Sequence, residues 1–118
     1  MNLPELKKHR GVNRVLLLFA PERSHPGYMS ASSKLSTAER RLRERDIRVL
    51  TVFSSGRVYE EDERVDGAHA VDFRRQFGAA RDEFTAVLLD TEGKECVRQR
   101  GDLDLPSLLG ALREESRH

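Results

Sequence analysis

The sequence predicts an α/β domain: a four-stranded mixed sheet of spatial order 2-1-3-4, flanked by helices on both faces. Three observations predict it. Val15 to Ala20 is an apolar run without alternation, the mark of a strand buried on both faces. A helical stripe and the β-rich run Ile47 to Phe53 follow, and a strand–helix–strand unit implies parallel neighbours joined by a right-handed crossover. Asp90-Thr91-Glu92-Gly93 separates two further extended runs as a tight hairpin, which makes those strands antiparallel neighbours.

Each element has its own warrant. Leu3 to His9 reads as one or two helical turns with Pro4 suited to the first, broken by Gly11 to Asn13. Residues 1–13 are thus an extension of one domain spanning 1–118. Pro21 ends the first strand, and Pro26 and Gly27 keep the next turn irregular. Tyr28, Ala31, Leu35, Ala38 and Leu42 recur at steps of three and four, so one helix is expected from Tyr28 to Arg45. Ser54 to Asp66, with its Ser-Ser-Gly and Glu-Glu-Asp-Glu clusters, reads as a mobile polar loop. Ala70, Phe73 and Phe77 mark a short helix closed by Gly78. Phe84 to Leu89 is the third strand, and Gly93 takes the positive-φ place in the hairpin. Lys94 to Arg100 is the polar fourth strand. Asp104 caps a last helix whose buried face is Leu105, Leu108, Leu109 and Leu112.

Polarity ranks the strands. Val15–Ala20 and Phe84–Leu89 are the most apolar and belong in the centre. Ile47–Phe53, which contains Arg48 and Thr51, and Lys94–Arg100 belong at the edges. The resulting order, 2-1-3-4 with helices on both faces, is that of a thioredoxin-like fold.

Bulk composition bounds the partners. Hydrophobic content is 37% and charged content 35%, above the usual quarter, so a modest core carries a heavily charged shell. Lysine and arginine number 21 against 20 acidic residues, which leaves no broad field to attract nucleic acid or an anionic membrane. The Val15–Ala20 run is shorter than the roughly 7–15 residues of a signal-peptide core, so a cytoplasmic location is expected.

Two stretches carry a family likeness. Arg14-Val-Leu-Leu-Leu-Phe-Ala-Pro21 and Arg43-Glu-Arg-Asp-Ile-Arg-Val-Leu50 resemble the signatures of an uncharacterised bacterial domain family known only as a domain of unknown function. Related peroxiredoxin-like domains occur in secreted sushi-repeat-containing animal proteins. The resemblance runs from about Leu3 to Leu112 and implies a thioredoxin-like fold, with no activity, cofactor or catalytic residue attached.

The chemistry turns on what the first turn lacks. A thioredoxin-type site needs a thiolate where the helix after the first strand begins, because the helix dipole lowers its pKa there. Here that turn is Pro21-Glu22-Arg23-Ser24-His25-Pro26-Gly27, and serine cannot cycle between redox states. Redox enzymes of the fold also place a proline just before the third strand, where this chain has Arg81-Asp82-Glu83-Phe84. Both departures argue against oxidoreductase activity. Cys96 excludes an internal disulfide, being alone, and reads as a small half-buried strand residue.

Other chemistries find less support. His9, His25, His69 and His118 fall in no metal-ligand spacing, and Glu60 to Glu63 lacks the pattern of a calcium loop. Arg40, Arg41, Arg43 and Arg45 interleave with Glu39, Glu44 and Asp46 as on a solvated helix face. Glycine-rich phosphate loops are absent from the sequence. No metal or cofactor is expected.

The leading expectation is therefore a non-catalytic, non-redox binding or protein-interaction module. Its surface combines Pro21, Glu22, Arg23, Ser24, His25 and Tyr28 with Arg81, for a protein partner or a small polar ligand. Ser24 or His25 serving only as a cap of the turn is the plainer alternative. A second function is a degenerate peroxiredoxin-like thiol oxidoreductase using Cys96 or a partner thiol. A homodimer through the edge strand 94–100 is a third expectation.

Overall fold

The computed structural model describes residues 4–61, 63–65 and 68–115. Leu3, Asp62, Asp66 and His118, used above, lie outside these, as does the side chain of Leu112. The elements in chain order are α1 (Pro4–Lys7), β1 (Arg14–Ala20), α2 (Pro26–Thr37), α3 (Glu39–Glu44), β2 (Ile47–Phe53), β3 (Val58–Glu60), β4 (Glu63–Arg64), α4 (Ala70–Phe77), β5 (Thr85–Leu89), β6 (Glu95–Arg100) and α5 (Leu105–Glu115).

One sheet of six strands runs β4-β3-β2-β1-β5-β6, which corrects the expected four strands and their order. β1 and β2 are parallel, with Arg14 opposite Ile47 and Ala20 opposite Phe53. β1 and β5 are antiparallel, as are β5 and β6. The added strands are β3 and β4. They come from the stretch read as a polar loop, and they make β2 an interior strand rather than an edge. The reversal is a tight turn in which Phe53 and Arg57 pair through their backbones at 2.9 Å, which folds Val58 and Tyr59 back onto Val52 and Thr51.

Alternation along β1 explains why its apolar run is unbroken. Leu16, Leu18 and Ala20 face a core shared with α2, α3 and α5, through Ala31, Leu35, Leu42, Leu105, Leu108 and Leu109. Val15, Leu17 and Phe19 face the other core, built with Phe73 and Phe77 of α4. Burying both faces removes any polar position from the strand.

The expected single helix from Tyr28 to Arg45 is instead two. Ala38 leaves helical geometry (φ −99°, ψ 11°), and its N–H reaches both Lys34 O and Leu35 O. Thr37 Oγ1 donates to Ser33 O at 3.1 Å, a side-chain bond that loosens the last turn. The apolar stripe survives the break, with Ala31, Leu35, Ala38 and Leu42 all buried.

Caps and turns follow sequence chemistry closely. Gly78 closes α4 in the left-handed region (φ 65°), and Gly93 takes φ 85° in the hairpin. Asp90 Oδ1 accepts from Glu92 N and Lys94 N there. Asp104 caps α5 through Ser107, accepting from its N–H at 3.3 Å and its hydroxyl at 2.7 Å. No described helix is long and apolar enough to cross a membrane.

Candidate functional site

The site lies at the carboxyl ends of β1 and β2, where parallel strands of open α/β sheets leave a crevice. Ser54 N donates to Ala20 O at 3.0 Å, tying the two strand ends together. α2 begins at Pro26, with His25 before it. His25 Nδ1 accepts from Gly27 N at 3.2 Å, so this imidazole caps the helix. That is the plainer alternative weighed from the sequence.

Gly27 is buried where the turn meets the chain before β5 and the chain after β6. A Cβ there would stand 2.7 Å from Gly101 O and 2.9 Å from Phe84 Cβ. The turn and the Arg81–Phe84 segment do therefore meet. Ser54 strengthens the junction, its hydroxyl donating to Arg81 O at 2.6 Å while Arg81 Nη2 donates to Ser54 O at 3.3 Å.

Arg23 projects over an aromatic floor. Its guanidinium carbon lies 4.6 Å from the Tyr59 ring centroid and 5.3 Å from that of Phe53. Such stacking is worth about 0.5–1 kcal/mol at exposed sites. Tyr28, Phe53 and Tyr59 form an edge-to-face chain with centroid distances of 5.1 Å and 5.8 Å. The Tyr59 phenol has its pKa lowered, first by its bond from Arg23 and also by a bond from Arg57, against some desolvation.

These groups line a cavity of about 330 Å³ whose walls are Glu22, Arg23, Ser24, Phe53, Ser55, Arg57 and Tyr59. Of the residues expected at the site, Glu22, Arg23 and Ser24 come together there. Pro21, His25, Tyr28 and Arg81 are not part of its lining. Tyr28 instead lines a separate cavity of about 430 Å³ under α2 and α3. Behind the site, Arg74 is buried and donates to Phe53 O at 3.2 Å. Burial, and then the charge of Arg81, lower its pKa.

Sequence reasoning missed Phe53, Ser55, Arg57 and Tyr59. A signal was present: Ser54-Ser55-Gly56 is a turn, and Val58-Tyr59 after it is a β-rich pair.

Cys96 is exposed, which corrects the half-buried placement. The β5–β6 register slips here: Leu88 faces Val97 and Leu89 faces Glu95, so Cys96 is the extra residue of a bulge and turns outward. β5 separates its strand from β1 and the α2 turn. Among the described residues no group of three or more His, Cys, Asp or Glu side chains is placed to hold a metal ion.

A parallel β1–β2 unit crossed over by α2 and α3, continued by an antiparallel β5–β6 hairpin, is a mixed α/β fold of the thioredoxin-like type. The fold is similar to the crystal structure of a reduced 2-Cys peroxiredoxin from Plasmodium vivax. The TM-score is 0.69 at 15% identity, covering 96% of this chain and 85% of that one. At that identity the likeness concerns the fold alone. No curated protein matches the chain. Residues 5–112 match the family described as "Domain of unknown function (DUF4174)", and the chain belongs to that family.

Proposed function

We propose that this domain is a non-catalytic binding module whose contact surface is the cavity at the carboxyl ends of β1 and β2. The observation that carries the reading is Arg23, held over Phe53 and Tyr59 at a built cavity where a redox protein of this fold would use a thiol. An arginine stacked on aromatic rings has its rotamers restricted before any partner arrives, so less entropy is lost on binding. Cys96 gives the oxidoreductase alternative little support, since it is exposed on the outer strand β6, with β5 between it and β1.

Two measurements test the reading. Peroxide consumption and disulfide reduction are expected to stay at the buffer rate; turnover that disappears in Cys96→Ser would overturn it. A protein-observed NMR screen of small polar molecules is expected to find binders that perturb the Tyr59 ring and are lost in Arg23→Gln. Binders that all map away from Tyr59 would reject this surface.

A further inference from the structure

We propose that the cavity between the β1–α2 turn and the β2–β3 turn takes a small ligand bearing a single carboxylate, gripped by Arg23 and Arg57. The inference rests on the binding reading above and names its ligand class.

Charge sets the class. The charged residues that line the cavity are Arg23, Arg57 and Glu22. The balance within the lining favours one negative charge. A dianion such as phosphate at neutral pH would meet the Glu22 carboxylate, and like charges close together are costly. A monocarboxylate meets the arginine forks in the planar, two-point manner for which guanidinium is suited.

The aromatic residues set the geometry. The Arg23 guanidinium carbon stands 4.6 Å from the Tyr59 ring centroid, Arg57 lines the same cavity, and the two cations, Arg23 first, lower the pKa of the phenol. Two guanidinium donors therefore share one small cavity with the Tyr59 ring. For them a carboxylate is a stronger acceptor than a neutral oxygen, since bonds to ionised groups are roughly twice as strong as neutral ones. Ser24 and Ser55 line the same space and can supply further donors. The volume of about 330 Å³ is at the lower end of ligand pockets, so the ligand is small.

The phenol is also the reporter. The chain has two tyrosines and no tryptophan, so absorbance near 295 nm follows the phenolates of Tyr28 and Tyr59, and Tyr59→Phe assigns the steps. The protein is titrated in sodium acetate, sodium phosphate and sodium chloride at matched ionic strength.

Acetate is expected to draw the arginines away from the phenol and raise the Tyr59 midpoint saturably, relative to chloride. Arg23→Gln and Arg57→Gln are each expected to weaken the apparent acetate constant at least about tenfold, equivalent to about 1.4 kcal/mol. Arg40→Gln, on the exposed face of α3, is expected to leave it unchanged. A midpoint equal in acetate and chloride overturns the proposal. A larger effect of phosphate than of acetate overturns the single-charge class. A neutral or cationic molecule perturbing Tyr59 while acetate does not removes the carboxylate inference and leaves the binding reading standing. That reading is decided separately, by turnover and by where binders map.

Discussion

Gly27→Ala is the sharpest test of how the site is held. The new methyl carbon would lie 2.7 Å from Gly101 O, 2.9 Å from Phe84 Cβ and 3.2 Å from His25 Nδ1. Ordinary contact begins several tenths of an ångström further out, so the turn or its neighbours must move. Phe84 is fully buried, and Gly101 N is bonded to Phe84 O at 2.8 Å, so neither neighbour yields freely. Overpacking of this kind costs about 1–3 kcal/mol. Two contacts under 3.0 Å with groups that cannot swing away put the site in the upper part of that range, about 2–3 kcal/mol, of which alanine's better helix propensity returns about 1 kcal/mol, leaving a net loss of about 1–2 kcal/mol. At about 4 °C per kcal/mol for a domain of this size, Tm falls by about 4–8 °C. Circular dichroism melts measure it. Gly110→Ala is the matched control: it sits inside α5, and a Cβ there meets nothing within 4 Å. It should stabilise by about 0.5–1 kcal/mol, the helix-propensity gain alone. A Gly27→Ala variant as stable as the wild type would refute the close-approach reasoning.

Three further outcomes are expected. Desolvation raises the pKa of Glu60, but bonds from Lys8 and His9 outweigh it, so the carboxyl titrates below its ordinary range. Its contribution is therefore full above the unfolded pKa of about 4.3 and fades as pH falls through the folded value. Urea midpoints should show Glu60→Gln weaker than wild type by about 0.5–1 kcal/mol at pH 7, with the gap closing by pH 3; a constant gap contradicts this. Phe73→Ala, at a fully buried position between α4 and the sheet, should cost about 3–5 kcal/mol in denaturant titration. A loss under 1 kcal/mol would mean that the second core is misplaced. Cys96 should react fully with a thiol reagent in the native state, and Cys96→Ser should change stability by less than about 0.5 kcal/mol. Protection of the thiol until unfolding would contradict the outward-turned bulge.

What the sequence made legible was local chemistry with a strong signal. The unbroken apolar run Val15–Ala20, the hairpin glycine Gly93, the helix-ending Gly78 and the capping Asp104 each mark one outcome, because each satisfies a backbone or burial demand no neighbour can meet. β3 escaped because Val58 and Tyr59 are followed by a run of acidic residues, and composition averaged over that window hides a three-residue strand. The consequence reaches the site: without β3 there is no place for Tyr59, and Arg23 reads as a polar contact of the binding turn with no aromatic floor beneath it. Arg48 and Thr51 dilute β2, so by composition it reads as an edge. In the structure Arg48 is exposed at the end where β3 does not reach, and Thr51 is buried opposite Tyr59. The Cys96 side chain could not be oriented from alternation, since the bulge resets the period of two.

The short β3–β4 return has an effect beyond the cavity. A bare flank of β2 would offer its backbone to any passing chain, and Leu50, Val52 and Phe53 are sticky neighbours for such a template. With the return folded over it, that rim ends in a two-residue strand, Glu63–Arg64, too brief and too charged to seed a growing ribbon. Among the described residues the opposite rim is β6, studded with Glu95, Arg98 and Arg100. The acidic insert is thus a hem on that side of the sheet: it covers the β2 flank and leaves no long apolar edge there.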